Sequence, residues 1–265
     1  MLPTFDLGPW QFSTYSVVYV LALLLAAMYA FHRLLTGLDQ PPEVIILGFF
    51  LSILGGFAGP YAVRIIVTAQ RFFQTGEWIW AGGSSYIGLL LGGVGVGALY
   101  CWWHKISLSR ALDRVTPALA LGQAIGRWGC LAAGCCYGRP TDSWLGLRLP
   151  DHSGFWAVRY PTQLMASAAD LLIFGLLLLM ERVGSRRRWY FDGLLFLLYV
   201  AFYSLKRFLL EFLRGDVLPL WGPVTWVHLY TLLGLLGSTA LIIWNLRRAI
   251  RTDRPPAGEI GEPLR

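Results

Sequence analysis

Tyr203, Arg207, Glu211 and Arg214 are the residues best suited to chemistry, and they fall at steps of four, four and three. At about 100° per residue those steps keep all four within about 80° of arc, on one helix face. Two guanidinium forks on one face match the oxygens of a phosphate group, and a carboxylate between them can orient Arg207. The surrounding residues are apolar, which places Arg207 roughly 9 Å inside a span at a rise of about 1.5 Å per residue. A charge at the bilayer centre costs about 2.5–3.5 kcal/mol on an insertion scale, so it must face protein, water or an anion. Two readings stand: a structural Arg207–Glu211 ion pair, or an anion site for a lipid headgroup.

A second cluster is Gly126-Arg127-Trp128-Gly129-Cys130, continuing through Cys135-Cys136-Tyr137-Gly138-Arg139-Pro140. Its glycines permit unusual backbone and close ligand approach. Arg127 reads either as a further phosphate ligand or as an arginine snorkelling to the interface. Cys130, Cys135 and Cys136 are candidates for a structural disulfide, Cys130 pairing with Cys135 or Cys136, or for a reactive thiol beside Arg127. Cys-x4-Cys-Cys without a nearby His argues against a zinc site, so no metal is expected. The absence of Cys-x-x-Cys disfavours a membrane thiol oxidoreductase. Cys101 reads as packing. His32 and His104 fall at inner span ends, and His152 in an outer loop reads as solvated more readily than as a base. No cofactor is implied.

The elements that carry these residues follow from composition. Of 265 residues, 56% are hydrophobic and 14% charged, against about 25% charged in soluble domains; mean hydropathy is +0.55. That excludes soluble, disordered, collagen-like and small disulfide-stapled classes and leaves an all-α membrane protein. Seven apolar spans are expected at 15–31, 44–68, 86–103, 115–125, 162–180, 193–212 and 226–244. The fourth is short enough to be tilted or partly re-entrant. The first 11 residues lack Lys and Arg, so no cleaved signal peptide is expected and the first span is retained. With the N-terminus outside, 13 of the 22 Lys and Arg residues fall in inner segments and six in outer ones, which favours seven transmembrane helices, N-out and C-in. A single transmembrane domain is expected over 1–250, with an outer-face loop at 126–161 and a flexible cytoplasmic tail at 251–265. Gly88/Gly92 and Gly93/Gly97 are spaced for close helix packing. The net charge of +7 is assigned to topology and anionic lipid, not nucleic acid.

Taken in order, these residues resemble the prolipoprotein diacylglyceryl transferases. Tyr15 and Tyr19 resemble the family's Tyr-x3-Tyr start. Gly126-Arg127-Trp128-Gly129, Gly134 and Gly138-Arg139-Pro140 resemble its signature. Pro161-Thr162-Gln163-Leu164 and Tyr203-x3-Arg207-x3-Glu211-Phe212-x-Arg214 resemble two further segments. The departures are specific. Ile87 stands where the family has a His, Tyr160 where a His precedes Pro, and Met165-Ala166 where it has Tyr-Glu. Cys130, Ala133 and Cys135 replace two Asn and a Glu. The resemblance implies transfer of a diacylglyceryl group from phosphatidylglycerol to a prolipoprotein cysteine thiol at the outer face of a bacterial inner membrane. It implies Arg127, Arg207 and Tyr203 as catalytic residues, and Arg127, Arg207, Glu211, Arg214, Tyr15 and Gln163 at the lipid. The alternative is a phospholipid-binding membrane protein that kept the phosphate site and lost or changed the chemistry.

Overall fold

The computed structural model describes residues 4–8, 10–76, 86–151, 154–184, 187, 189–217, 220–222 and 224–251. Seven helices form among them: α1 Thr14–Gly37, α2 Pro42–Thr75, α3 Tyr86–Trp103, α4 Leu108–Ala133, α5 Thr162–Gly184, α6 Leu194–Glu211 and α7 Trp226–Arg251. By length and composition, α1, α2, α5 and the first 23 residues of α7 can each cross a bilayer. The all-α expectation needs one amendment. Two antiparallel hairpins are present, β1 (Thr4–Leu7) with β2 (Trp10–Ser13), and β3 (Leu147–Pro150) with β4 (Trp156–Arg159). Where the sequence reading drew one domain, the chain divides into two compact units, Met1–Ala30 with Leu112–Arg265, and Phe31–Ala111.

In the second unit, α2 starts with Pro at its first turn and ends on Gly76 in the left-handed conformation, φ 74°. Both are favoured at those ends, since Pro lacks an N–H that would go unused and Gly accepts positive φ. The helix has 34 residues, well beyond the expected 44–68. Helix α3 keeps the expected bounds. The two helices cross on glycine. Gly55 and Gly59 of α2 face Gly88 and Gly92 of α3, and a Cβ on Gly59 or Gly92 would run into the opposite backbone. Lipid offers no hydrophobic drive between helices, so close van der Waals approach through small residues holds the crossing. Tyr100 closes one end, its hydroxyl donating to the Val44 carbonyl at 2.8 Å.

In the first unit, α4 overturns one expectation. It is a continuous helix of 26 residues with Pro117 inside it, longer than the expected span of 115–125, and it carries residues 126–133 of the expected outer loop. Ala118, Ala120 and Ala124, on different sides of the helix, are almost wholly buried. Ala120 joins Ile173 and Leu177 of α5 and Leu195 and Tyr199 of α6 in the core. Polar cross-links run between these helices. Ser167 donates to the Ala124 carbonyl at 2.8 Å, and Arg114 pairs with Glu181 at 2.9 Å. The Asp113 carboxylate accepts from the Gly193 and Phe196 backbone N–H groups at 2.7 and 3.0 Å, capping α6 from a neighbouring helix. Gly193 has φ 98°, a conformation that suits glycine. Outward leucines such as Leu172, Leu209 and Leu233 are exposed, as a lipid-facing surface requires. Helix α7 extends to Arg251, so the expected tail loses its first residue to the helix, and 252–265 lie outside the described residues.

Candidate active site

Three helices line one small pocket, and two of them bring cations to it. Arg127 comes from the last turns of α4, Thr162 and Ala166 from the start of α5, and Lys206, Arg207 and Leu210 from the end of α6. Arg214 and Cys136 complete the lining. The space itself is about 10 Å³, room for about one water. Arg127, Arg207 and Arg214, expected at a phosphate from sequence, are brought together here. Tyr203, Glu211, Tyr15 and Gln163 do not line the pocket.

Those four act around it. Glu211 is buried, with its Oε2 2.9 Å from Arg207 Nη1 and its Oε1 accepting from Thr225 Oγ1 at 3.0 Å. This is the i, i+4 pair expected from spacing, and the Thr225 bond fixes the carboxylate that aims Arg207. Thr225 in turn donates its backbone N–H to His228 Nδ1 at 3.0 Å. The His228 ring packs against Phe208 and Phe212, at centroid distances of 5.1 and 4.2 Å. Sequence analysis gave His228 no role. Tyr203 stacks on Tyr199 at 5.8 Å, and its ring lies under the Lys206 ammonium at 4.3 Å. Arg214 holds Asp216 in a bidentate pair at 2.8 and 2.6 Å.

Lys206 is the residue the sequence analysis missed. Its Nζ donates to Asp170 Oδ1 at 2.6 Å, with both side chains almost fully buried. The signal was present as a lone acid, Asp170, in the fifth apolar span and a second base, Lys206, beside Arg207 in the sixth. Opposite charges inside a membrane generally find each other. With Lys206 included, four cations meet three carboxylates, since Glu211, Asp170 and Asp216 each hold one. Among the described residues no carboxylate pairs with Arg127.

Beyond α4 the chain turns sharply, with Gly134 at φ 70° and Cys136 at φ 59°. The start of α5 clamps this turn: Thr162 Oγ1 donates to the Cys136 carbonyl at 2.7 Å and Gln163 Nε2 to that of Cys135 at 2.8 Å. Gln163, expected at the lipid, thus holds the cysteine backbone. Tyr15 packs against Gly129 of α4 and stacks on Tyr19 at 5.7 Å. The segment after the turn is wedged between two neighbours. Gly138 N–H donates to Tyr160 at 3.2 Å, Arg139 N–H to Leu213 at 2.8 Å and Gly215 N–H to Tyr137 at 3.0 Å. A Cβ at Gly138 would collide with Tyr160.

The sulfurs of Cys130, Cys135 and Cys136 lie within 4.8 Å of one another. No bond joins the three sulfurs in the structure. Hydrogen bonds from Cys130 and Cys135, with the Arg214 and Arg127 guanidiniums nearby, hold the Cys136 thiol well below its ordinary pKa. The same hydrogen bonding, with burial, pushes Cys135 up. The Ile87 side chain and His152 lie outside the described residues.

Apolar helices long enough to cross a bilayer define a multi-pass membrane protein, and three helices build an arginine-lined pocket in it. Comparison with known proteins gives the family. The family model described as prolipoprotein diacylglyceryl transferase matches residues 3–244. A phosphatidylglycerol–prolipoprotein diacylglyceryl transferase of Gloeobacter violaceus is 31% identical over 259 residues, covering 94% of each chain. One of Lactiplantibacillus plantarum is 32% identical over 90% of this chain and 87% of its own, and one of Geobacillus kaustophilus 34% identical over 73% and 75%. The chain belongs to the prolipoprotein diacylglyceryl transferase family.

Proposed function

We propose that this chain transfers the diacylglyceryl group of phosphatidylglycerol to the cysteine thiol of a prolipoprotein, releasing glycerol phosphate. The observation that carries the reading is the pocket where Arg127, Arg207 and Arg214 converge with Lys206. The leaving group is a phosphate whose charge grows as its bond to the glyceryl carbon breaks. Fixed guanidinium donors at that point lower the barrier more than they lower the ground state. Arg127 and Arg207 bind the phosphate, Glu211 aims Arg207 while held by Thr225, and Arg214 stands at the mouth. Tyr203 acts from behind Lys206, through the ring contact, rather than on the lipid.

The site faces the outer leaflet in a bacterial plasma membrane, with seven spans, N-out and C-in. The 13-to-6 partition of Lys and Arg supports this. So does the grouping of pocket residues at the end of α4, the start of α5 and the end of α6, which on this topology all lie on the outer side. The test is complementation of a strain depleted of its own diacylglyceryl transferase, read by prolipoprotein mobility. Restored maturation is expected. Failure by protein shown to be folded and inserted overturns the assignment and favours phospholipid binding without transfer.

A further inference from the structure

Ile87 removes the imidazole that could take the proton of the attacking thiol, and the pocket holds no carboxylate or histidine at its lining. The three sulfurs that converge beside it offer another route. We propose that Cys130, Cys135 and Cys136 form a three-thiolate zinc site whose fourth position takes the thiol of the incoming prolipoprotein cysteine. The metal site stands on its own geometry; the identity of the incoming thiol rests on the transferase reading above.

Three thiols converging on one point are more than a disulfide uses, since a disulfide joins two. Around one zinc at about 2.3 Å in tetrahedral geometry, sulfurs stand about 3.8 Å apart. The observed spread, within 4.8 Å, closes to that by small side-chain rotations. The backbone needs no rearrangement, because Thr162 and Gln163 already fix the Cys136 and Cys135 carbonyls. Such outer hydrogen bonds orient metal ligands in general. Sequence spacing argued against a metal for want of a histidine. Three protein ligands and one open position are nevertheless the pattern of a zinc that handles substrate. Soft thiolate ligands select zinc over magnesium or calcium. Zinc with three thiolates carries one net negative charge, which suits the surrounding arginines. Cys136 lines the same pocket as Arg127, Arg207 and Arg214, so the open position lies beside the phosphate.

The step balances without an oxidant or reductant. The incoming S–H binds the metal and its proton leaves to water. The sulfur electron pair then forms the C–S bond to the glyceryl carbon as the C–O bond to phosphate breaks. The leaving electron pair departs on glycerol phosphate, held by the arginines.

The test loads purified, reduced, full-length protein with Co2+ as a spectroscopic probe of zinc sites, in detergent. Expected are thiolate-to-cobalt charge-transfer absorption with about one metal per chain, its loss in C130S, C135S and C136S, and its retention in C101S. Size-exclusion profiles establish folding for each variant. Where a serine variant fails to fold, stoichiometric release of cobalt by alkylation of the parent's cysteines replaces it. Adding a prolipoprotein peptide should shift the absorption further, and the same peptide with Ser for Cys should not. Absence of charge-transfer absorption in the parent overturns the metal site, while transfer by metal-free protein leaves the transferase reading standing. Absorption that the cysteine peptide does not alter overturns delivery of the thiol to the metal.

Discussion

Replacing Asp170 by Asn removes one charge from a buried pair while keeping its shape. Lys206 then stays in a pocket with Arg127 and Arg207 without the carboxylate that faced it, and the local net charge rises by one. The pair is held at 2.6 Å with side-chain exposures of 5% and 0%, so water does not replace the lost carboxylate. Breaking one side of such a pair costs about 3–5 kcal/mol, whereas replacing both sides by apolar residues of similar volume is neutral or stabilising by about 1–4 kcal/mol. Asp170→Asn and Lys206→Met should each therefore be strongly destabilised, and Asp170→Leu/Lys206→Met should approach the parent. The double variant also leaves the net pocket charge unchanged, which separates folding from phosphate binding. Equilibrium unfolding in mixed micelles, followed by fluorescence of the 12 tryptophans, gives the three free energies and the coupling between them. Asp170→Asn within about 1 kcal/mol of the parent, or a double variant that loses the sum of the two singles, refutes the argument.

Arg127→Lys and Arg207→Lys keep charge and lose the fork. Each should lower transfer roughly 10- to 150-fold, the equivalent of about 1.5–3 kcal/mol for one charge-assisted bond; parent-like rates would move the phosphate elsewhere. Gly92→Ala drives a Cβ into the Gly55 backbone whereas Gly95 faces open space. Folded yield should therefore fall for Gly92→Ala and hold for Gly95→Ala, measured by size-exclusion of a fluorescent fusion. A reporter joined after residue 265 should be active only in the cytoplasm, and periplasmic activity would reverse the topology.

Hydropathy located α3 at its observed ends because that helix is apolar throughout. It failed on α4 because that helix buries the small residues Ala118, Ala120, Ala124 and Gly129, and buries Asp113 and Thr116 as well. A helix surrounded by protein can be small and polar where a helix in lipid cannot, so the apolar window stopped near Ile125. Spacing within one helix revealed Arg207 and Glu211. It could not reveal Lys206 with Asp170, whose partners stand 36 residues apart on two helices. Gln163 was assigned to the lipid through the resemblance of residues 161–164 to a family segment, and sequence alone could not show that its Nε2 also donates to the Cys135 carbonyl. The convergence of the three cysteines depends on positive φ at Gly134 and Cys136, and local propensity does not forecast that for a cysteine.

On the proposed function, the three resident carboxylates make the pocket an exchange site. Arg207 and Arg214 already hold Glu211 and Asp216 at ion-pair distance, so an arriving phosphodiester competes with partners in place instead of meeting bare charge. Affinity for the lipid is then a small difference between two good sets of contacts. Weak affinity suits a substrate that is a bulk component of the surrounding bilayer, because local abundance fills the site. It also leaves the stronger grip for the moment of bond breaking, when the departing phosphate carries more charge than the bound lipid.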